Sequence, residues 1–316
     1  MSGLSQIATL ESRHRTTMSM LLAYAHSLPV LPHVAASLAT VDRDDPLLPD
    51  MVEDFSSVDP ALAVRMLCLG SHLFAEGLGE HLTLPLALSR LGAKTIARGL
   101  GGLATSPSIE PTTAVEKELW LHSLQVAIAA KYLAQRRPEC GLLGDEAYLL
   151  GLIHDIGRFV MLATSRQKFN AVGESEWDSG DKLIRLELEI CGFDHATLGA
   201  LATAEWRFPE LVSHVVRFHH APRRLGGRGF IKRVAAAVEM IAIADRLSFL
   251  ILKHPDVAIV CGEEQSRILR DSHIVSDDAV TKVTVPELVR IISPVLVKSN
   301  DLWERVAGPR LRPSTS

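Results

Sequence analysis

Apolar residues recur at three- and four-residue spacing along most of the chain, which is the pattern of amphipathic helices. This pattern predicts helices over Pro60–Gly70, Leu84–Leu100, Ala114–Ala134, Asp145–Thr164, Asp181–Cys191, Ala196–Trp206, Pro209–Phe218 and Lys232–Leu252. No segment shows the strict alternation of a half-exposed strand, and no repeat of fixed period is present. The sequence therefore predicts an all-α fold.

Three helix starts are marked by their residue types. Asp59 precedes Pro60 and is expected to cap a helix whose first position is that proline. Asp145 is a second expected N-cap, and a helix is expected to restart at Pro209.

Breaks in composition divide the chain into zones. Gly, Ser, Thr and Pro cluster between Gly99 and Thr113, and a Gly/Arg-rich loop spans Ala221–Phe230. We predict an N-terminal extension over 1–20, an N-terminal helical subdomain over 21–110, a histidine-rich helical subdomain over 111–250, and C-terminal helices with a tail over 251–316. The last zone offers no functional signal.

Composition narrows the class of protein. Hydrophobic residues make up 47% and charged residues 22% of the 316 residues, as in ordinary soluble globular proteins. The net charge of −4 argues against a nucleic-acid binder, which would carry a basic surplus. The four cysteines form no CxxC pair and are expected to be reduced thiols.

The apolar segment Val234–Leu252 is long enough to resemble a membrane span. It contains Glu239, Asp245 and Arg246 near its middle, where charges are costly in lipid. A buried helix of a soluble protein is therefore expected, with no membrane partner and a cytoplasmic location.

The stretch "LLGLIHDIGRFVML", Leu149–Leu162, places a histidine and an aspartate side by side in an apolar run. Burying His154 and Asp155 is costly unless a partner compensates them. Six of the 13 histidines lie between residues 122 and 220. Together with nearby carboxylates they give these candidate metal ligands: Glu118, His122, His154, Asp155, His195, His219, His220 and Asp245.

Simpler interpretations exist for each residue taken alone. A single histidine on an apolar helix is more often a hydrogen-bonded core residue, and we interpret His214 in this way. Asp245 has Arg246 beside it as a possible partner, and an HD pair arises often by chance. So many candidate ligands in one region nevertheless favour a metal site. Mixed imidazole and carboxylate ligands suit Zn, Fe or Mn, and this set is large enough for two ions bridged by a nucleophilic hydroxide.

The order His122, His154–Asp155, Asp245 resembles the HD superfamily of metal-dependent phosphohydrolases. The fuller ligand set is similar to that of the HD-GYP phosphodiesterases. The blocks "DPALAVRML", "LPLALSRLGAKTIARGL", "LWLHSLQVAIAAKYLA", "LLGLIHDIGRFVML" and "DHATLGALATAEWRFPELVSHVVRFHHAP" resemble the HDOD domain of bacterial signalling proteins. This resemblance covers Leu28–Pro222, and it implies a multi-helix HDOD/HD bundle with an N-terminal helical subdomain.

The resemblance implies a divalent transition-metal cofactor, with two ions and with Fe or Mn favoured over Zn. Asp155 and Arg158 are the implied catalytic residues, Arg158 as a phosphate contact; its alternative is a plain surface arginine. One departure stands out, since "HHAPRRLGGRGF" replaces the Gly-Tyr-Pro motif of the HD-GYP enzymes.

Two functions follow from the resemblance. The first is a bacterial signalling module with a bound metal, which acts through a signalling protein partner or a nucleotide ligand. A homo-oligomer is one option for its assembly. The second is a metal-dependent phosphodiesterase or phosphohydrolase acting on a nucleotide or a cyclic dinucleotide. The changed loop favours the first, and the retained ligands favour the second.

Overall fold

The structure is a computed structural model, and it describes residues 28–71, 81–101, 108–225, 232–275 and 280–307. The predicted extension over 1–20 and the last nine residues lie outside this part. So does the 226–231 segment of the loop that replaces Gly-Tyr-Pro.

Helices make up nearly all of the regular structure in the described ranges. The N-terminal ones are α1 (Pro32–Ala39), α2 (Leu48–Ser56), α3 (Pro60–Leu69) and α4 (Leu84–Leu100). The central ones are α5 (Ala114–Gln135), α6 (Gly144–Ile153), α7 (Ile156–Thr164), α8 (Arg166–Glu174), α9 (Gly180–Cys191), α10 (His195–Glu205), α11 (Glu210–Phe218) and α12 (Lys232–Lys253). The C-terminal ones are α13 (Gly262–Asp271) and α14 (Val285–Ala307). The described ranges contain an isolated parallel bridge between Val30 and Ser108 but no β-strand. The all-α prediction is therefore confirmed.

Two predicted helix starts are confirmed and one is wrong. Asp59 caps α3 and accepts hydrogen bonds from the backbone of Ala61 and Leu62. Pro209 directly precedes α11. Asp145 is not an N-cap, because α6 already begins at Gly144 and the Asp145 side chain instead pairs with Lys131 of α5 at 2.6 Å.

Helix α4 is bent, whereas the periodicity predicts a continuous helix. Gly92 within it has φ +69° and ψ 154°, a conformation that glycine tolerates and other residues rarely adopt. The apolar spacing on either side gives no sign of this break.

The long helix α5 lies at the centre of the bundle and packs against α6, α12 and α14. Its start is fixed by a capping box, in which Thr113 and Glu116 each bond to the other's backbone. Glu116 is fully buried and also binds Arg166 of α8 at 2.5 Å. The same carboxylate accepts a hydrogen bond from Asn170, so it joins α5 to α8.

Replacing Glu116 with glutamine is expected to weaken the fold most at neutral pH. Burial acts to raise the pKa of Glu116, but the hydrogen bonds from Arg166, Asn170 and the backbone outweigh it and lower this pKa to about 2. The stabilisation is therefore complete above the unfolded value of 4.5 and is lost as the pH falls through about 2. We expect Glu116→Gln to cost about 1–2 kcal/mol at pH 7, since Arg166 is partly exposed to solvent. Denaturant unfolding of both proteins at pH 7, 4 and 2 should show the difference shrinking, and a constant difference would contradict this assignment.

The C-terminal helices pack on the central bundle. Arg137, which follows α5, is buried and binds the Glu287 carboxylate of α14 at 2.5 Å. Its guanidinium also donates to the backbone oxygens of Thr281 and Lys282. The C-terminal zone over 251–316, which offers no functional signal in the sequence, therefore packs against α5, the helix that carries His122.

The apolar segment Gly144–Thr164 meets the length and hydropathy of a membrane span, but 83% of its most apolar window is buried inside the protein. A core helix of a soluble protein passes the same test. The predicted membrane-like segment Val234–Leu252 belongs to α12, which is buried along most of its length.

Candidate metal centre

The HD pair lies at a turn between two helices. The periodicity predicts one helix over Asp145–Thr164, and this prediction is wrong, because α6 ends at Ile153 and α7 begins at Ile156. Asp155 has φ −96° and ψ 20°. Neighbouring side chains of a continuous helix point about 100° apart. The turn therefore allows His154 and Asp155 to point into the same cluster of side chains.

Four of the candidate ligands form a first group around Asp155. The Asp155 Oδ1 atom lies 3.3 Å from His195 Nε2 and 3.5 Å from His219 Nε2. The His195 and His219 Nε2 atoms are 3.4 Å apart, and His220 Nε2 is 3.1 Å from His195 Nε2. These four residues offer ligand atoms within 4.8 Å of one another.

His122, His154 and Asp245 form a second group. The two Nε2 atoms are 3.2 Å apart, and Asp245 Oδ1 lies 3.2 Å from His122 Nε2 and 3.8 Å from His154 Nε2. The alternative that Asp245 simply pairs with Arg246 is not what the structure shows, because the Arg246 Nε atom donates to the Ala242 backbone.

Both carboxylates lie between the two groups. Asp155 approaches His154 at 3.6 Å through Oδ1 and His122 at 3.8 Å through Oδ2. Asp245 approaches His220 at 3.4 Å through Oδ2. The two groups are therefore adjacent parts of one centre.

The outer nitrogens of four imidazoles are held by hydrogen bonds. Nδ1 of His154 bonds to the Gly151 oxygen at 2.7 Å, and Nδ1 of His219 bonds to the Val216 oxygen at 2.9 Å. A carbonyl only accepts, so these Nδ1 atoms carry a proton and Nε2 is the nitrogen left for an ion. His195 Nδ1 meets the Glu187 carboxylate at 2.6 Å in the same way.

His122 follows the same arrangement through a hydroxyl. Its Nδ1 is 2.9 Å from Ser248 Oγ, and that hydroxyl donates to Gln125 Oε1. Because the hydroxyl proton is used there, Ser248 accepts from His122 Nδ1 and leaves the His122 Nε2 lone pair free.

This arrangement fits a metal centre. Nitrogen lone pairs 3.2 and 3.4 Å apart repel one another unless a proton or a metal ion lies between them. Two nitrogens that bind one ion at about 2.0–2.1 Å are about 2.9–3.4 Å apart in octahedral or tetrahedral geometry. Asp155 Oδ1 is buried without a hydrogen-bond partner among the described residues, as expected of an oxygen reserved for an ion.

The electrostatics keep both carboxylates ionised. Burial acts to raise the pKa of Asp155, but His154 and His195 outweigh it and hold this pKa well below its usual range. Burial lowers the pKa of His219 to about 3, and His220 acts in the same direction. Burial acts likewise on His195, but the carboxylates of Glu187 and Asp155 outweigh it and raise that pKa to about 9.

Glu187 and Ser248 are functional candidates that sequence reasoning misses. Glu187 is buried and fixes His195 through both its ring and its backbone nitrogen. It lies four residues after the buried Leu183, so a carboxylate on the apolar face of α9 was the available signal. A hydroxyl such as Ser248 gives no comparable signal.

Glycines allow the close helix approach that places the ligands. A Cβ atom on Gly157 would overlap the backbone oxygen of His195 and lie 2.9 Å from the Gly199 nitrogen. Helices α7 and α10 therefore cross in backbone contact beside the HD turn. A Cβ on Gly180, at the start of α9, would overlap the His220 ring.

The remaining candidates, Glu118 and Arg158, line a cavity of about 1340 Å³ over the centre. Glu118 belongs to neither ligand group. Arg158 is 8% exposed, which excludes a plain surface arginine. Its Nη1 atom is 3.5 Å from Asp155 Oδ2, and its Nε atom has no hydrogen-bond partner among the described residues. His214 lies outside both groups, with its Nδ1 bonded to the Glu210 oxygen.

The HDOD domain model matches residues 28–222, which is the range over which the sequence resembles that domain. The chain belongs to the HDOD family. No curated protein matches this HDOD chain.

Solved structures show the same fold. A response regulator, MmoQ from Methylococcus capsulatus str. Bath, is 19% identical, with 84% of this HDOD chain and 98% of that chain covered and a TM-score of 0.57. A virulence factor from Campylobacter jejuni subsp. jejuni is 14% identical, with 90% and 96% covered and a TM-score of 0.57.

Replacing Asp245 with asparagine is expected to weaken metal binding. Asparagine keeps the size of the side chain but removes the charge that faces His122, His154 and His220. Titration of the metal-free protein should show at least a tenfold weaker affinity for one ion. Asp256→Asn, at an exposed position, is the matched control. Unchanged affinity in Asp245→Asn would leave Asp245 as a buried core residue only.

Proposed function

We propose that this chain is a bacterial signalling protein whose HDOD domain holds two divalent transition-metal ions and binds an anionic ligand beside them. The observation that carries the proposal is the set of converging imidazole nitrogens and carboxylates beside an open cavity. A purely structural ion would be enclosed by its ligands, whereas this centre opens to a space large enough for a ligand.

The proposed ligands of one ion are Asp155, His195, His219 and His220, and those of the other are His122, His154 and Asp245, with Asp155 and Asp245 able to reach both groups. Fe or Mn is proposed over Zn. When bound, such ions supply Lewis-acid activation and neutralise negative charge on a ligand. Glu118 lines the cavity and is proposed only as an outer contact.

The signalling part of the proposal is supported by the structural relatives. The MmoQ protein, which shares the fold, is called a response regulator. We propose a signalling protein partner that responds to the ligand-bound state. Within the described residues, the N-terminal helices contact the HD region directly, as where Tyr148 Oη donates to the Ser57 oxygen at 2.8 Å. A conformational change at the metal centre could therefore reach the N-terminal helices through these contacts.

Hydrolysis of a phosphate ester is the second candidate, and Arg158 favours it. In that reaction the oxygen of water bonds to phosphorus, the ester P–O bond breaks, and the leaving oxygen takes a proton. Arg158 would bind the phosphoryl oxygens, because its buried guanidinium points at the cavity beside Asp155. Asp155 would hold its place between the two ligand groups.

The test is metal content together with anion binding. Protein reconstituted separately with Fe, Mn or Zn is expected to hold about two ions per chain and to bind inorganic phosphate only when loaded. Arg158→Gln should keep the metal and weaken phosphate binding at least tenfold. Release of the leaving phenol from a chromogenic phosphodiester, and of phosphate from a phosphomonoester, then separates the two candidates. Well-folded protein that takes up no metal would overturn both.

A further inference from the structure

Two aromatic rings form a surface in the cavity away from the ligand groups. Trp177, between α8 and α9, stacks on Phe249 of α12 with ring centroids 5.1 Å apart and an angle of 28° between the planes. Both side chains are half-buried and line the cavity. Neither ring belongs to the five sequence blocks that resemble the HDOD domain.

Positive groups flank this aromatic pair. Lys253 Nζ lies 5.4 Å from the Trp177 ring centroid and 5.9 Å from that of Phe249. The Arg158 guanidinium lies 6.0 Å from the Trp177 centroid. Cations within about 6 Å of a ring face are attracted by its electrons, and Lys253 is the cation near both rings. Aromatic rings with two cations close to them suit a ligand that has a planar ring and a negative group.

Arg158 connects the aromatic pair to the ligand groups. Its Nη1 atom lies 3.5 Å from Asp155 Oδ2, while its Nε atom makes no hydrogen bond among the described residues and lies 4.0 Å from Glu187 Oε1. Arg158 lines the cavity, so its guanidinium supplies a positive charge there for an anionic oxygen of a ligand. An anion bound there would have the centre on one side and Trp177 on the other.

We propose that Trp177 and Phe249 form a base-binding subsite and that the ligand of this cavity is a nucleoside phosphate. Its phosphate lies at Arg158 and the ligand groups, and its base lies against the aromatic pair beside Lys253. Stacking a base on aromatic side chains contributes about 1–3 kcal/mol, which is roughly 5- to 150-fold in affinity. An acidic peptide would supply the charge but not the ring. The phosphate end of this ligand rests on the proposed function, whereas the base subsite does not.

The test measures how much a base adds to binding. Isothermal titration of the metal-loaded full chain compares AMP and GMP with ribose 5-phosphate and inorganic phosphate, while phosphate release is followed in parallel. The nucleotides are expected to bind at least tenfold more tightly than ribose 5-phosphate. Trp177→Leu should abolish that gain and leave ribose 5-phosphate affinity within twofold. Trp177→Phe should retain most of it, because phenylalanine still stacks.

Trp303→Phe is the matched control, since Trp303 of α14 does not line the cavity. Each variant is checked for metal content and melting temperature. Equal affinity for nucleotides and ribose 5-phosphate in the wild type would overturn the base subsite and leave the proposed function standing. Equal losses for both ligands in Trp177→Leu would likewise overturn it. Failure of every phosphorylated compound to bind loaded protein would overturn the anion-binding part of the proposed function as well.

Discussion

Replacing His154 and Asp155 together with alanine is expected to abolish binding of both metal ions. His154 belongs to one ligand group and Asp155 contacts both, so the double change removes a ligand from each. Elemental analysis of the purified variant should find less than a tenth of the wild-type metal. The matched control is His33→Ala with Asp44→Ala, an exposed pair outside the cavity.

The same variant is expected to melt at a lower temperature than loaded wild type. A ligand present at a hundred times its dissociation constant stabilises the native state by about 2.7 kcal/mol, which is about 5 °C for a chain of this size. Chelation of the wild type should remove most of this difference, because metal binding is linked to folding. Unchanged metal content in the double variant would refute the assignment of the centre.

Replacing Gly157 with alanine is expected to disrupt both the fold and the centre. The added methyl group would overlap the His195 backbone oxygen, and backbone atoms cannot move aside by rotating a side chain. Helices α7 and α10 must therefore separate, which should cost about 3 kcal/mol in the free energy of unfolding. Their separation moves His195 away from Asp155, so we also expect metal affinity at that group to fall at least tenfold.

Denaturant unfolding and metal titration of Gly157→Ala measure the two effects. Gly262→Ala provides the control, since a Cβ at Gly262 meets nothing within 4 Å. Stability and metal affinity close to those of the wild type would show that the two helices do not need this close contact.

Periodicity predicts most helices well because their apolar faces are the surfaces that pack in the core. It misses the break at His154–Asp155, since the apolar spacing runs through the turn without a gap. It misses the bend at Gly92 for the same reason. In both places the deciding factor is backbone conformation, which leaves no trace in the spacing of apolar residues.

The sequence also predicts which residues form the two ligand groups. The residues that it misses share a physical reason. The eight candidate ligands predicted from the sequence include all seven residues of the two groups. The eighth, Glu118, lies on the cavity wall instead. Charged residues in apolar surroundings are conspicuous, so Asp155 and Asp245 could be found. Ser248 and Gly157 could not, because a hydroxyl and a missing side chain matter only once their neighbours are known.

The seven residues of the two ligand groups come from α5, the HD turn, α10, the end of α11 and α12. An ion shared by His122 and Asp245 would therefore join points separated by roughly 120 residues. In the chain-entropy model of a disulfide, a cross-link that closes a loop of this length stabilises the folded state by about 5 kcal/mol. The centre would then act as a reversible cross-link in a chain that has no CxxC motif. Metal supply would set how far this domain can open, in addition to what it can bind.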